Sequence, residues 1–231
     1  MGTKTSKNSA IFSPELFRFF RELGRNNHKP WMDANRERYR SVVVEPFRAL
    51  LERTSEAAQK LNPRFATAGR VGENFSRINR DIRFAKDRSP YRSQMYLFYA
   101  EPGKDGAQIY AGISAEAVTA GFRIYGDTRN SVLAHVARPR AQANPGWIER
   151  QRRRLGRKYD SYWYSTNKGE WVKHHGWPEK PQDWRKLQGW VVRRKLAPAA
   201  ATRASFASEV SKTFHDVYPL YEFTRSPEWK P

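Results

Sequence analysis

No cysteine occurs among the 231 residues. That excludes disulfides, thiolate metal ligands and a cysteine nucleophile. Acids are scarce as well: 23 Asp and Glu face 43 Lys and Arg, for a formal net charge of +20. A small domain needs a net charge of only about 2–8 to stay soluble. The surplus predicts attraction to polyanions such as nucleic acid, phosphorylated metabolites or acidic lipid surfaces. Long apolar runs are missing; none approaches the roughly 18 residues of a membrane-spanning helix. No signal peptide is read at the start, so the expected location is cytoplasmic. Catalytic signatures are missing too. The five histidines form no H-E-x-x-H, and there is no G-x-S-x-G elbow, P-loop or Rossmann glycine pattern. No metal or cofactor is expected, and composition leaves open whether the protein is an enzyme.

What is present begins with helical periodicity. Residues 1–10 are polar and are expected to form a disordered tail, with 11–231 a single α+β domain. Ser13 and Pro14 signal a helix start, and Leu16, Phe20 and Leu23 form its apolar stripe up to Gly24. A turn at 26–30 leads into a second helical pattern through Trp31, Asn35, Tyr39 and Val42. Phe47, Leu50, Leu51, Thr54, Ala58 and Leu61 then recur at helical spacing up to Pro63.

The apolar period next falls to two, which predicts strands at 75–79, 93–100, 108–114 and 116–125. Tyr96–Tyr99 is apolar on both faces and reads as a central strand. In the last strand, Val118, Ala120, Phe122 and Ile124 alternate with Thr119, Gly121, Arg123 and Tyr125, giving a buried and a wetter face. Asp127 or Thr128 offers a cap for a helix reaching about Val136. Helices are also expected at 147–158 and at 202–218, the latter with Phe206, Val210, Phe214 and Val217 inward. The expected architecture is a central antiparallel sheet over 75–125, with N-terminal and C-terminal helices packed on it.

The densest chemistry lies in Phe75–Arg92. Six cations (Arg77, Arg80, Arg83, Lys86, Arg88 and Arg92) face two acids, Asp81 and Asp87. Apolar Phe75, Ile78, Ile82, Phe84 and Tyr91 run through the same stretch, so a folded framework is expected to hold the cations. Two readings stand side by side. Arg77, Arg80, Arg83, Lys86 and Tyr91 can converge on a phosphate or carboxylate, because guanidinium groups bind such anions with two hydrogen bonds. Alternatively, Asp81 and Asp87 are ion-pair partners that fasten the loop. Arg83 is expected to pair with one of these acids in the interior, where its removal would strand a carboxylate and threaten the fold, whereas Arg77 and Lys86 are expected to face an open pocket.

Two further clusters allow both a functional and an architectural reading. Asn26, Asn27 and Trp31 can line a pocket at a helix boundary, or serve turn chemistry alone. From Trp147 to Lys195, six tryptophans and three tyrosines interleave with arginines and lysines. Such interleaving suits single-stranded nucleic acid, or a core covered by the stems of snorkelling cations.

The residues just quoted resemble a family. Asn26-Asn27, Trp31, Asn35 and Tyr39 follow its early motif. Arg77, Arg80-Asp81, Arg83-Phe84, Lys86-Asp87 and Pro90-Tyr91 follow its longer signature, roughly R-x-x-R-D-x-R-F-x-K-D-K-x-P-Y-K. The chain is similar in these motifs to the domain of unknown function 2461 family, most strongly over about 12–100. It departs from the pattern at Arg88 and Arg92, where lysine is usual, and over 109–126, which lacks a Gly-Gly and Pro pattern. The resemblance implies an α+β fold and no particular activity. Taken with the charge, the expected role is a basic anion-binding domain whose partner is nucleic acid or another phosphate-bearing ligand. An enzyme acting on a phosphorylated or carboxylated small substrate is the alternative, and a purely architectural or interaction role is a further one.

Overall fold

A computed structural model of the chain describes residues 9–83, 85, 87–102, 106–126, 133–225 and 229–231. Phe84, Lys86, Asp127, Thr128 and most of the expected N-terminal tail lie outside these residues. The fold is α+β, with a six-stranded antiparallel sheet. No described helix is long and apolar enough to cross a membrane.

Pro14 starts α1 (Pro14–Arg25), with Ser13 extended before it. The expected stripe is buried, and Phe19 joins it. The next helical pattern is broken at Asn35 into α2 (Lys29–Ala34) and α3 (Arg36–Tyr39), followed by one π-helical turn at Arg40–Val44. Arg38 ties α3 to α1: its Nε donates to Glu15 Oε1 at 2.8 Å, and Nη1 pairs with Glu22. Pro46 stands in the first turn of α4 (Glu45–Leu61), which follows the π-helical turn without a break, so the irregular turn lies where the proline lacks an N–H to donate. Phe47, Leu50, Leu51, Thr54 and Ala58 face inward as their spacing requires.

The strands are β1 (Gln94–Tyr99), β2 (Gln108–Ser114), β3 (Val118–Tyr125), β4 (Asp160–Asn167), β5 (Glu170–His175) and β6 (Gly189–Leu196), in the sheet order β1-β2-β3-β6-β4-β5. Three sequence expectations need correction. Residues 75–79 are no strand; Phe75 and Asn79 make only isolated bridges, to Leu97 and Tyr91. β1 is an edge of the strand order rather than a centre. Its apolar faces are explained by the segment before it: Ser76 N donates to Tyr96 O at 3.0 Å, and Phe98 N to Asn74 O at 2.8 Å. The sheet also extends well beyond 125, because β4, β5 and β6 come from the aromatic and basic region.

The remaining helices are α5 (Arg138–Ala143), α6 (Pro145–Leu155), α7 (Pro181–Lys186), α8 (Pro198–Ala201) and α9 (Phe206–Arg225). A π-helical turn at Leu133–Ala137 precedes α5; it covers the described end of the helix expected to reach about Val136, whose start lies outside the described residues.

The chain divides into two compact units of interleaved segments. The first holds residues 1–99, 111–119 and 196–212. Its core joins α1, α4 and the start of α9. Phe12 meets Phe47 at 5.2 Å and Phe206 at 5.8 Å, ring centre to ring centre. Tyr99 is fully buried, and its hydroxyl finds Thr54 at 2.8 Å and the carbonyl of Leu51 at 3.1 Å, which offsets the cost of burying it.

The second unit holds residues 100–110, 120–195 and 213–231. Its core is aromatic. Trp190 is completely buried and packs edge-on against Phe122, Trp177 and Trp184. Trp147 stacks on Phe223 at 4.6 Å.

Candidate functional site

In the first unit, the basic signature is a loop closed by short backbone ladders. Arg80 N donates to Pro90 O, and Arg92 N to Ile78 O, both at 2.8 Å. Asn27 clamps the far side. Its Nδ2 donates to Tyr91 O at 2.9 Å and its Oδ1 accepts from Tyr91 N at 3.0 Å. A side-chain amide thus does the work of a strand neighbour. Asn26 closes α1 by donating to Glu22 O at 2.9 Å, and Trp31 packs on Phe19. Tyr91 itself is only 6% exposed.

Both acids of the signature pair locally. Arg83 binds Asp81 through two parallel contacts, Nε–Oδ1 at 3.0 Å and Nη2–Oδ2 at 2.7 Å. Arg80 pairs with Asp87. Asp87 also accepts from Ser89 N at 2.9 Å; this turn with Ser89, more than Arg80, holds its carboxyl down at about 2. The expectation of an interior Arg83 is corrected: its side chain is 77% exposed and that of Asp81 61%. A carboxylate two residues away is reached without leaving water, so nothing drives that pair inward. Arg88 donates to Ile82 O at 3.2 Å. Arg77 and Arg92 are exposed and make no side-chain hydrogen bond or ion pair with a described residue. Lys86 lies outside the described residues.

Beside the signature is a cleft of about 310 Å³, lined by Tyr39, Val44, Arg48, Gly69, Val71, Met95 and the run Phe75–Asn79. Tyr39 and Val44 bracket the π-helical turn, a feature often found at functional sites. Phe75, Ile78 and Met95 make its wall apolar, while Arg77 and Arg48 add charge. Arg48 reaches Glu45 only at 3.6 Å. Tyr39 is pushed up to about 12 by burial, so its hydroxyl stays protonated at neutral pH and can donate. Asn26, Asn27 and Trp31 are not among the cleft's lining residues; they support the framework around it. Arg48 was missed by sequence reasoning, and its helical spacing offered no signal.

In the second unit, register sorts the aromatic and basic region into two faces. Tyr162 pairs with His175 and Val191, and Tyr164 with Lys173 and Gly189. Trp163 and Trp190 point the other way, into the core. The face carrying Tyr162 and Tyr164 is joined by Tyr125 and Trp171, which are 41% and 47% exposed. The rings of Tyr125, Tyr164 and Trp171 lie 5.5–6.3 Å apart, centre to centre, around an open hollow of about 570 Å³. Gly189 permits this, since a Cβ there would stand 2.6 Å from Tyr125 Cδ1. Lys173 Nζ sits 4.1 Å over the Tyr162 ring, Arg193 lies 4.9 Å over the same ring, and Arg123 lies 4.8 Å over Tyr110.

Among the described residues no cluster of three or more His, Asp or Glu side chains could hold a metal ion. Fold and surface together define a basic α+β protein with a cationic cleft in one unit and an aromatic, cation-bearing sheet face in the other. The chain matches the family described as conserved hypothetical protein (DUF2461) over residues 15–223, and it belongs to that family. No curated protein matches it.

Proposed function

We propose that the protein is a basic anion-binding domain that takes phosphate groups, of nucleic acid or of a phosphate-bearing ligand, on its Arg-rich signature. The observation that carries this reading is Arg77. It is exposed, has no side-chain partner among the described residues, and lines a cleft together with Arg48. A guanidinium group without a carboxylate is free to form charge-assisted bonds to an oxyanion. Arg92 has the same freedom on the ladder that closes the loop. Arg80 and Arg83 are engaged with Asp87 and Asp81, so they shape the loop before they meet any ligand. The net charge of +20 raises the local concentration of any polyanion.

Calorimetry with tripolyphosphate at low salt tests the reading. The wild type binds, and Arg77→Ala binds about 10-fold more weakly, as loss of a charge-assisted contact requires. Failure of the wild type to bind ends the proposal. Equal binding by Arg77→Ala moves the anion site away from the cleft.

A further inference from the structure

We propose that the open sheet face of the second unit is a stacking platform for single-stranded nucleic acid. Unpaired bases lie on Tyr125, Tyr164 and Trp171, and Arg123, Lys173 and Arg193 take the phosphates. This goes beyond the anion cleft and does not rest on it.

Four observations carry the inference. First, three large rings stand side by side and partly bare. Trp171 and Tyr125 keep nearly half their surface in water, although the core beneath has buried Trp184 and Trp190 almost completely. Exposed apolar patches of this kind mark interaction sites. Second, the face is built for ring access. Gly189 clears space for Tyr125 to lie across β6. Third, the cations among the rings are held for use. Arg193 Nε is buried without a hydrogen-bond partner. Arg123 is steadied by Gln108 Oε1 at 2.8 Å. Fourth, Asp160, which stands opposite Arg193 in the register, already has Lys195 Nζ at 3.4 Å.

Charge chooses the occupant. A second copy of this face would set Arg123, Lys173 and Arg193 against their own kind. A duplex hides its base faces and leaves the rings nothing to stack on. An acidic peptide would satisfy the cations and leave three adjacent rings uncovered. A single strand offers flat bases and regularly spaced phosphates together, and stacking on aromatic side chains tolerates any base.

The test is fluorescence anisotropy of the full chain with a labelled 12-nucleotide oligothymidylate, across a salt series. The wild type binds the single strand more tightly than a duplex of equal length. Trp171→Ala and Tyr164→Ala each weaken binding about 10-fold or more, while Trp171→Phe keeps most of it. Lys173→Ala lowers the slope of log affinity against log salt by about 0.7, as one lost phosphate contact on a single strand predicts. Unchanged thermal midpoints separate these effects from misfolding. Wild-type affinity in both Trp171→Ala and Tyr164→Ala, a preference for duplex, or equal competition by polyglutamate overturns the proposal. Tripolyphosphate binding, the readout of the cleft, is unaffected by Trp171→Ala, so the failure of one reading is distinguishable from the failure of the other.

Discussion

The loop at 75–92 and the face made by β3 to β6 each combine aromatic side chains with arginine or lysine, yet they spend their charge differently. In the loop, cations and acids are neighbours in sequence. Arg83 finds Asp81 two residues away, and Arg80 finds Asp87 seven residues away. Two of the three cations between Arg80 and Asp87 are therefore paired with an acid of the same stretch. On the sheet face, Arg123, Lys173 and Arg193 come from three different strands. Lys173 and Arg193 lie over the Tyr162 ring, an aromatic neighbour that stabilises a cation without cancelling its charge. Density of charge along a chain thus overstates what is available, and charge dispersed over several strands is easily overlooked.

The first way to sharpen the contrast lies within the tryptophans of the second unit. Trp190→Ala removes a completely buried indole from among Phe122, Trp177 and Trp184. A loss of about 3–5 kcal/mol is expected in urea unfolding. Trp171→Ala, at 47% exposure, should change stability by less than about 1 kcal/mol. Comparable losses in the two variants would mean that Trp171 belongs to the core and not to a surface.

A smaller effect is expected at Asn27. Replacing it with Ala leaves both backbone groups of the buried Tyr91 without their partner. The cost should be about 1–3 kcal/mol, with anion binding reduced only as far as the loop loosens. Undiminished stability would show that the clamp is dispensable.

The smallest effects belong to the exposed ion pairs. Arg83→Ala should leave the thermal midpoint close to that of the wild type, since both partners stay largely in water. Asp87 provides the pH check. Its carboxyl is held at about 2, below its value of about 3.9 in an unfolded chain. A depressed folded pKa contributes stability that is fully present above about pH 4 and is lost as pH falls toward 2. Carbon-13 NMR titration should find that low midpoint, and Ser89→Pro, which removes the N–H donor, should raise it. A midpoint near 4 in the wild type would mean that the Ser89 turn does not form in solution.

The helical half of the protein was readable because burial on one helix face imposes a period on the sequence. Leu16, Phe20 and Leu23, and Phe47 through Ala58, are buried where that period requires. β3 was readable for the corresponding reason, down to Arg123 and Tyr125 on its wetter side. β4 and β5 gave no such pattern. Tyr162, Trp163 and Tyr164 are aromatic on both faces, one face toward the core and one toward the hollow. β5 is an edge strand with no buried residue, so it carries no alternation of apolar and polar positions from which a strand could be read. In the signature, apolar residues at every second or third position suggested a strand, but only isolated bridges formed.

Composition, charge and apolar period by themselves determined the α+β class, the helices of the first unit and the surplus of positive charge, because each follows from local residue chemistry. Only the tertiary structure decided which cations remain unpaired and which rings stay bare. Arg77 and Arg48 meet at one cleft from positions 29 apart in the chain, and Tyr125 reaches Tyr164 and Trp171 only because β6 inserts between β3 and β4. Pairing between distant strands sets those meetings, and no local pattern encodes it.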